Sequence, residues 1–409
     1  MIELDLIHTL ALSGVALLVG YGLRRAIPAL GRYNLPAPVL GGLLVAGAVA
    51  IARGQGTSLF QFDTTLQSPL MIAFFTTIGF GASLSLLRIG GPQVIRFFLL
   101  ASVFAIVQNI VGVMVALPLG MNPLFGVLVG SVTLTGGPAT GLAFAPLFEQ
   151  AGVTGAASIA IAAAMGGIVA GGVIGGPLGT FLVHRYRLHA SRTKDPATLA
   201  RLAAVIDEQG AAETDAPVDS VDGQTYTLAK NIVAILIAMW IGAWVSRGFA
   251  ALGMTLPAYI GAMLVAAVIR NVDDATGWFG LSHRFIDSFG AVALSLFLAM
   301  ALMTLKIWEL AGLALPLVTI LLVQIVITSF IAAGPVFKLM GANYESAVMS
   351  GGFLGFMLGT TANAMAVMHT LVERYGPAPR AFLVAPMVGA FFLDFSNALI
   401  ITAFLNLFR

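Results

Sequence analysis

Long apolar stretches separated by short polar ones run the whole length of the chain, near 6–23, 36–52, 68–87, 97–117, 123–148, 154–183, 229–246, 257–269, 288–305, 311–333, 346–372 and 381–408. Many exceed the roughly 18 apolar residues that cross a bilayer, so the pattern predicts membrane helices. Two stretches differ in kind. Gly126 to Phe148 and Ser346 to Val372 are broken by closely spaced glycines with threonines among them: Thr133-Leu-Thr-Gly-Gly-Pro-Ala-Thr-Gly141 in the first, Gly351-Gly-Phe-Leu-Gly-Phe-Met-Leu-Gly-Thr-Thr361 in the second. Each then runs into an acid and a glycine, Glu149 with Gly152 and Glu373 with Gly376. Irregular backbone at membrane depth is tolerated only where protein or a water-filled cavity satisfies its amides and carbonyls. A matched pair of this kind predicts a substrate site at the centre of a transporter.

Composition agrees with the pattern, at 59% hydrophobic and 9% charged residues. The absence of cysteine excludes disulfides, thiolate catalysis and iron–sulfur clusters. Glu3 and Asp5 precede the first apolar stretch with no basic cluster, so Leu6 to Leu23 reads as a retained span, not a cleaved signal. The net charge of +2 says little, but the placement of charge says more. If all twelve stretches crossed, the 20 Lys and Arg would divide almost evenly between the two sides. If the two broken stretches instead enter and leave on one side, ten spans remain, and only Arg53, Arg247, Lys306 and Arg409 lie outside. Cytoplasmic loops favour Lys and Arg, which selects the re-entrant arrangement with both termini outside.

The polar stretch from His184 to Thr227 is basic first and acidic later and lacks runs that could form a core. It reads as a cytoplasmic linker, with a helical piece near Ala197 to Ile206. Its flanks resemble each other: Leu35-Pro-Ala-Pro-Val-Leu-Gly-Gly-Leu-Leu-Val-Ala46 recurs loosely as Leu256-Pro-Ala-Tyr-Ile-Gly-Ala-Met-Leu-Val-Ala266, and Val107-Gln108 recurs as Val323-Gln324. Five spans per half is odd, so a repeat must return inverted. The expected fold is an all-α integral membrane protein. It comprises a repeat over 1–183, a linker over 184–228 and an inverted repeat over 229–409, each repeat with a re-entrant glycine-rich hairpin between its fourth and fifth spans.

Asp394, in Gly389-Ala-Phe-Phe-Leu-Asp-Phe-Ser-Asn397, is the one acid well inside an expected span. A carboxylate there is costly unless a cation, a proton or a hydrogen-bond network compensates. Asn397 lies one helical turn further on the same face, and the two offer hard oxygen ligands suited to sodium. Gln108, Asn109 and Gln324 are uncharged polar residues of the spans, suited to a cation or to bonds between helices. In the broken stretches, Thr133, Thr135, Thr140, Thr360, Thr361 and Asn363 supply hydroxyl and amide contacts. Gly136, Gly137, Gly141, Gly352, Gly355 and Gly359 let backbone amides approach a ligand, and broken helix ends aim partial positive charge at a carboxylate. The bland alternative for each glycine pair is close helix packing.

Enzyme readings fail. There is no HExxH motif, Gly136 to Gly141 is followed by Leu where a phosphate loop needs Lys and Ser or Thr, and the five histidines lack metal-ligand spacing. An intramembrane aspartyl protease would need a second buried acid opposite Asp394. His369, near the end of a broken stretch, suits an interfacial position better than a proton relay.

The chain resembles the glutamate:sodium symporter family over nearly all its length except the linker. Asp63-Thr-Thr-Leu-Gln-Ser-Pro-Leu-Met-Ile-Ala-Phe-Phe-Thr-Thr-Ile-Gly79, Leu294-Ser-Leu-Phe-Leu-Ala-Met-Ala-Leu-Met303 with Trp308-Glu-Leu310, and Ala381-Phe-Leu-Val-Ala-Pro-Met-Val-Gly-Ala-Phe-Phe-Leu-Asp394 carry the likeness. The resemblance implies sodium-driven uptake of L-glutamate or a related small carboxylate, no organic cofactor, and a homodimer whose transport domains move against a scaffold in the lipid bilayer. The chain departs from the family pattern at Pro138 and Ala139, where that pattern has His-Gly, at Phe353 and Leu354, where it has His-Cys, and at Ala362 and Asn363. A less polar site at these positions would favour a more apolar carboxylate. The rival expectations are a proton-coupled carrier of the same fold and a channel with two pore loops.

Overall fold

The computed structural model describes residues 2–57, 59–189, 221–251, 257–310 and 312–408. The expected helical piece near Ala197 to Ile206 lies outside them. Helices make up most of the described chain, and the one sheet among the described residues is a parallel pair in which β1 (Ile2–Leu4) runs beside β2 (Phe60–Phe62). The helices of the first half are α1 (Leu6–Ala26), α2 (Ala37–Gly54), α3 (Gln67–Gly81), α4 (Leu84–Ala116), α5 (Pro123–Val127), α6 (Gly137–Gln150) and α7 (Ala156–Arg185). Those of the second half are α8 (Val221–Ala251), α9 (Ala258–Thr276), α10 (His283–Met303), α11 (Ala314–Ile331), α12 (Tyr344–Met357), α13 (Thr361–Tyr375), α14 (Pro379–Met387) and α15 (Leu393–Leu407).

Seven helices among the described residues are long and apolar enough to cross a bilayer: Leu6–Ala26, Ala37–Gly54, Gly91–Leu119, Ala156–Arg185, Thr225–Phe249, His283–Met303 and Ala314–Leu339. The protein is therefore a multi-pass membrane protein. The remaining three of the ten expected spans are less regular. Helix α3 has only 15 residues, α9 carries Arg270, Asp273 and Asp274, and α14 joins α15 through a π-helical stretch at Val388–Phe392. Helix α4 is kinked where Gly91 adopts φ 70° ahead of Pro92, a conformation open to glycine.

The helices sort into two bodies. Helices α1, α2, α3, α8, α9 and α10 pack chiefly on one another, and α4 to α7 pack chiefly with α11 to α15. Within the first body, α1 and α2 cross at Gly20 and Gly41, and α8 and α9 cross at Gly242 and Gly261, so both helix pairs meet through glycine. In each case a Cβ would collide with the partner backbone, which explains the small residues. Outer faces are apolar: Leu18 is 70% exposed, Trp240 67% and Phe330 73%, the inverse of a water-soluble protein and suited to lipid.

The broken stretches occupy the interior of the second body. Helix α5 continues into a π-helical turn, Leu128–Val132, that ends at a break and returns as α6; α12 ends at Leu358 and returns as α13. The outer ends of each pair are tied together. Asn122 Nδ2 donates to Ala151 O at 3.1 Å across the first, and Tyr344 Oη donates to Gly376 O at 2.5 Å across the second. Each pair is thus a hairpin whose broken tip lies away from its tied ends.

Candidate functional site

The two hairpin tips meet. A Cβ placed on Gly137 would lie 3.5 Å from Gly359 O and 3.6 Å from Thr360 Cγ2. Gly137 itself has φ 67°, a conformation open to glycine, and with it turns the chain into α6. Gln108 of α4 braces the junction: its Nε2 donates to Met357 O at 2.8 Å, and its Oε1 accepts from Thr135 Oγ1 at 2.6 Å. Gln324 of α11 backs this brace by donating from Nε2 to Gln108 O at 2.6 Å. Both glutamine side chains are fully buried.

A cavity of about 340 Å³ lies at the tips, between the two bodies. From the second body it is lined by Thr135, Gly136, Gly137, Pro138, Ala139, Gly359, Thr360, Thr361 and Asp394; from the first come Tyr21, Arg24, Phe74 and Ser295 among others. Helices α6 and α13 both begin at this cavity and direct their free N–H groups and positive dipole ends toward it. Thr360 caps α13, its Oγ1 accepting from Asn363 N at 3.3 Å, which leaves the hydroxyl proton available to a ligand. Asp394 makes no hydrogen bond and no ion pair with any described residue, and neither does the side chain of Arg24. The cavity therefore holds anion-attracting helix ends and a guanidinium on one hand and an uncompensated carboxylate on the other, the complement of a small zwitterionic acid.

The other expected site residues surround the cavity without lining it. Thr133 is buried and donates to Leu128 O at 2.8 Å; Thr140 is buried against Gly136. Gly141 packs on Ala160, Gly352 on Met368 and Gly355 on Ala364, where each lets helices approach closely. Asn363 Nδ2 donates to Ile168 O at 2.9 Å and Gly355 O at 3.3 Å, joining α7 to the second hairpin. Asn109 and Asn397 are buried at the break in the first hairpin, where Asn109 Oδ1 accepts from Ser131 N at 2.9 Å and Asn397 Nδ2 donates to Ser131 O at 3.0 Å. Of the positions that depart from the family pattern, Pro138 and Ala139 line the cavity. Phe353 and Leu354 do not: both are fully buried, the Phe353 ring 5.7 Å from that of Phe97 and 5.6 Å from that of Phe104. His369 lies at the surface with its ring against Phe382.

Arg24 and Ser131 were not among the residues singled out from sequence. Arg24 reads there as one more basic residue at a span end, and nothing local marks its direction. Ser131 directly precedes the motif, but its hydroxyl is one of many in the chain.

Broken hairpins meeting over a charged cavity, between two helical bodies of a multi-pass membrane protein, define a secondary transporter. The chain belongs to the sodium/glutamate symporter family, whose model matches residues 2–377. It is similar to the sodium/glutamate symporters of Escherichia coli (strain K12) and Shigella flexneri, each 40% identical over 412 residues, 100% of this chain and 99% of the relative. It is also 38% identical to that of Haemophilus influenzae over 393 residues, 96% of this chain and 95% of the relative. The protein is a transporter, not an enzyme.

Proposed function

We propose that this protein takes up L-glutamate, or a closely related small carboxylate, by symport with sodium, using alternating access of the cavity between its two bodies. The observation that carries this reading is the meeting of both hairpin tips and Asp394 in one cavity. Carboxylate groups of the substrate are held by the N-terminal ends of α6 and α13, by Thr360 and Thr361, and by Arg24, while the Thr135 hydroxyl donates to Gln108. Asp394 faces the substrate ammonium or the coupling sodium, with Asn397 one turn away. Gln108 and Gln324 bond backbone and hydroxyl groups across the hairpins, so we assign them to holding the tips together and not to the ion.

The topology that fits is two inverted five-span repeats, 1–183 and 229–409, joined by a cytoplasmic linker over 184–228. The tied ends at Asn122 and Ala151 support a hairpin re-entering from the periplasm, and those at Tyr344 and Gly376 one re-entering from the cytoplasm. With both termini periplasmic, the cavity lies toward the cytoplasmic ends of α1 and α2. The bodies then act as scaffold (α1 to α3, α8 to α10) and transport domain, in a homodimer as the resemblance suggests.

Proteoliposomes tested with labelled L-glutamate, L-aspartate and dicarboxylates should show saturable uptake that requires an inward sodium gradient. Asp394→Asn should insert normally and lose most of that dependence, because the amide removes the charge at nearly constant size. Uptake driven equally well by a proton gradient without sodium would refute sodium coupling, and solute-independent current would favour a channel.

A further inference from the structure

The break in the first hairpin contains a set of buried oxygens that the fold leaves unsatisfied. Gly130 departs from helical backbone (φ −93°, ψ −130°), which frees the peptide groups around Ser131. Those groups are taken up by side chains from two other helices: Asn109 Oδ1 accepts from Ser131 N, and Asn397 Nδ2 donates to Ser131 O. Ser131 O also accepts from Gly136 N at 2.9 Å, so the clamp fixes the backbone on both sides of the residue. The orientation of both amides is set by these bonds. Asn397 must turn its oxygen away from Ser131 O, and that oxygen finds no partner. The Ser131 hydroxyl finds none either, although Ser131 is 0% exposed and Asn397 1%.

Unpaired buried polar atoms are rare, and an amide oxygen and a hydroxyl left without partners where Asn397 bonds the Ser131 backbone call for an occupant. Asn397 lies one turn beyond Asp394 on the same helix, so the Asp394 carboxyl is its neighbour on that helix face. Oxygen ligands from a hydroxyl, an amide and a carboxylate suit a hard monovalent cation. Asn109 Nδ2, the third unpaired atom at the break, is a donor and stays outside the ligand set; it can bond a water in the shell of the ion.

We infer that Ser131 Oγ and Asn397 Oδ1 are ligands of a coupling sodium ion, bound beside Asp394 at the break of the first hairpin. This rests on the sodium-coupled reading above and extends it to Ser131. It also supplies a mechanism for coupling. Thr135 and Gly136 lie on the cavity a few residues further along the same break, with Gly136 N bonded to Ser131 O. An ion that fixes Ser131 therefore fixes the tip that contacts the substrate.

Ser131→Ala tests this against Ser350→Ala, a matched control. Ser350 Oγ is likewise buried and unpaired, but on α12 of the other hairpin. Purified protein is titrated with sodium chloride against choline chloride at constant ionic strength, and thermal stabilisation and bound ²²Na⁺ are read. The wild type should be stabilised by sodium specifically. Ser131→Ala should require about tenfold more sodium or greater, since one charge-assisted contact is lost, while Ser350→Ala should titrate like the wild type. Equal sodium midpoints in all three proteins would overturn the inference and leave a structural water as the occupant. A wild type that responds identically to sodium and choline would instead refute the sodium reading itself, so the two failures are distinguishable. Monodispersity and helical circular dichroism of both variants establish that any loss is not misfolding.

Discussion

Arg24 lines the cavity from the C-terminal turn of α1, a helix of the first body, while the hairpin tips belong to the second. No carboxylate among the described residues neutralises it, so the guanidinium is free to meet an anion. A hydrogen bond to a charged group contributes about 1.5–3 kcal/mol, which is roughly ten- to a hundred-fold in affinity. Arg24→Gln should therefore raise the KM for glutamate by about that factor in sodium-driven uptake, with the sodium midpoint little changed. Arg24→Lys should recover part of the loss, because it keeps the charge but not the planar fork. A KM equal to the wild type in Arg24→Gln would remove Arg24 from the substrate shell. Phe353 is the contrasting residue. Its ring is core between Phe97 and Phe104, so its departure from the family pattern bears on packing, and any change of selectivity falls to Pro138 and Ala139.

At the scale of the elements, the hairpin geometry separates two threonines that look equivalent in the motifs. Thr360 lies on the cavity wall, whereas Thr140 is 5% exposed and packs its Cβ against Gly136. In a chain without cysteine, Thr360→Cys should react with a small water-soluble thiol reagent and be protected by substrate, while Thr140→Cys should react slowly in this conformation. Comparable labelling of both would mean that the first tip opens to water. Much of the element level was legible in the sequence, because hydropathy reports the length of a span and glycine spacing reports a break. Thr135, Gly136, Gly359, Thr360, Thr361 and Asp394 do come together in one cavity. The gaps have physical causes. The π-helical stretches at Leu128–Val132, Ala332–Val336 and Val388–Phe392 depend on tertiary contacts that no local propensity encodes. Glycines at a ligand and glycines at a helix crossing share one signature, so Gly141, Gly352 and Gly355 could not be told from Gly136 and Gly359. The direction of a long side chain such as Arg24 is decided by neighbours distant in sequence.

At the scale of the whole molecule, alternating access requires the two bodies to change contact, and the side opposite Arg24 shows where. There the start of α7 meets the segment after α10: Ser158 Oγ donates to Lys306 O at 3.1 Å, and a Cβ on Gly155 would lie 3.3 Å from Glu309 Cβ. Gly155 and Ser158 belong to the second body with α7, and Lys306 and Glu309 follow directly on α10 of the first. That spacing is close to the Cβ separation of about 3.5–4.5 Å that a disulfide spans. Gly155 has φ 71°, so a cysteine there carries strain of about 1–2 kcal/mol, small beside the bond it would form. The double variant Gly155→Cys with Glu309→Cys, oxidised in membranes, should hold the bodies as they stand here, with the cavity on the Arg24 side. Sodium-driven uptake should fall to the background of empty vesicles and return on reduction, while each single variant keeps transporting under oxidising conditions. If the bodies instead move together as one unit, the cross-link will form and uptake will continue, and the assignment of scaffold and transport domain to these two helix sets will have failed.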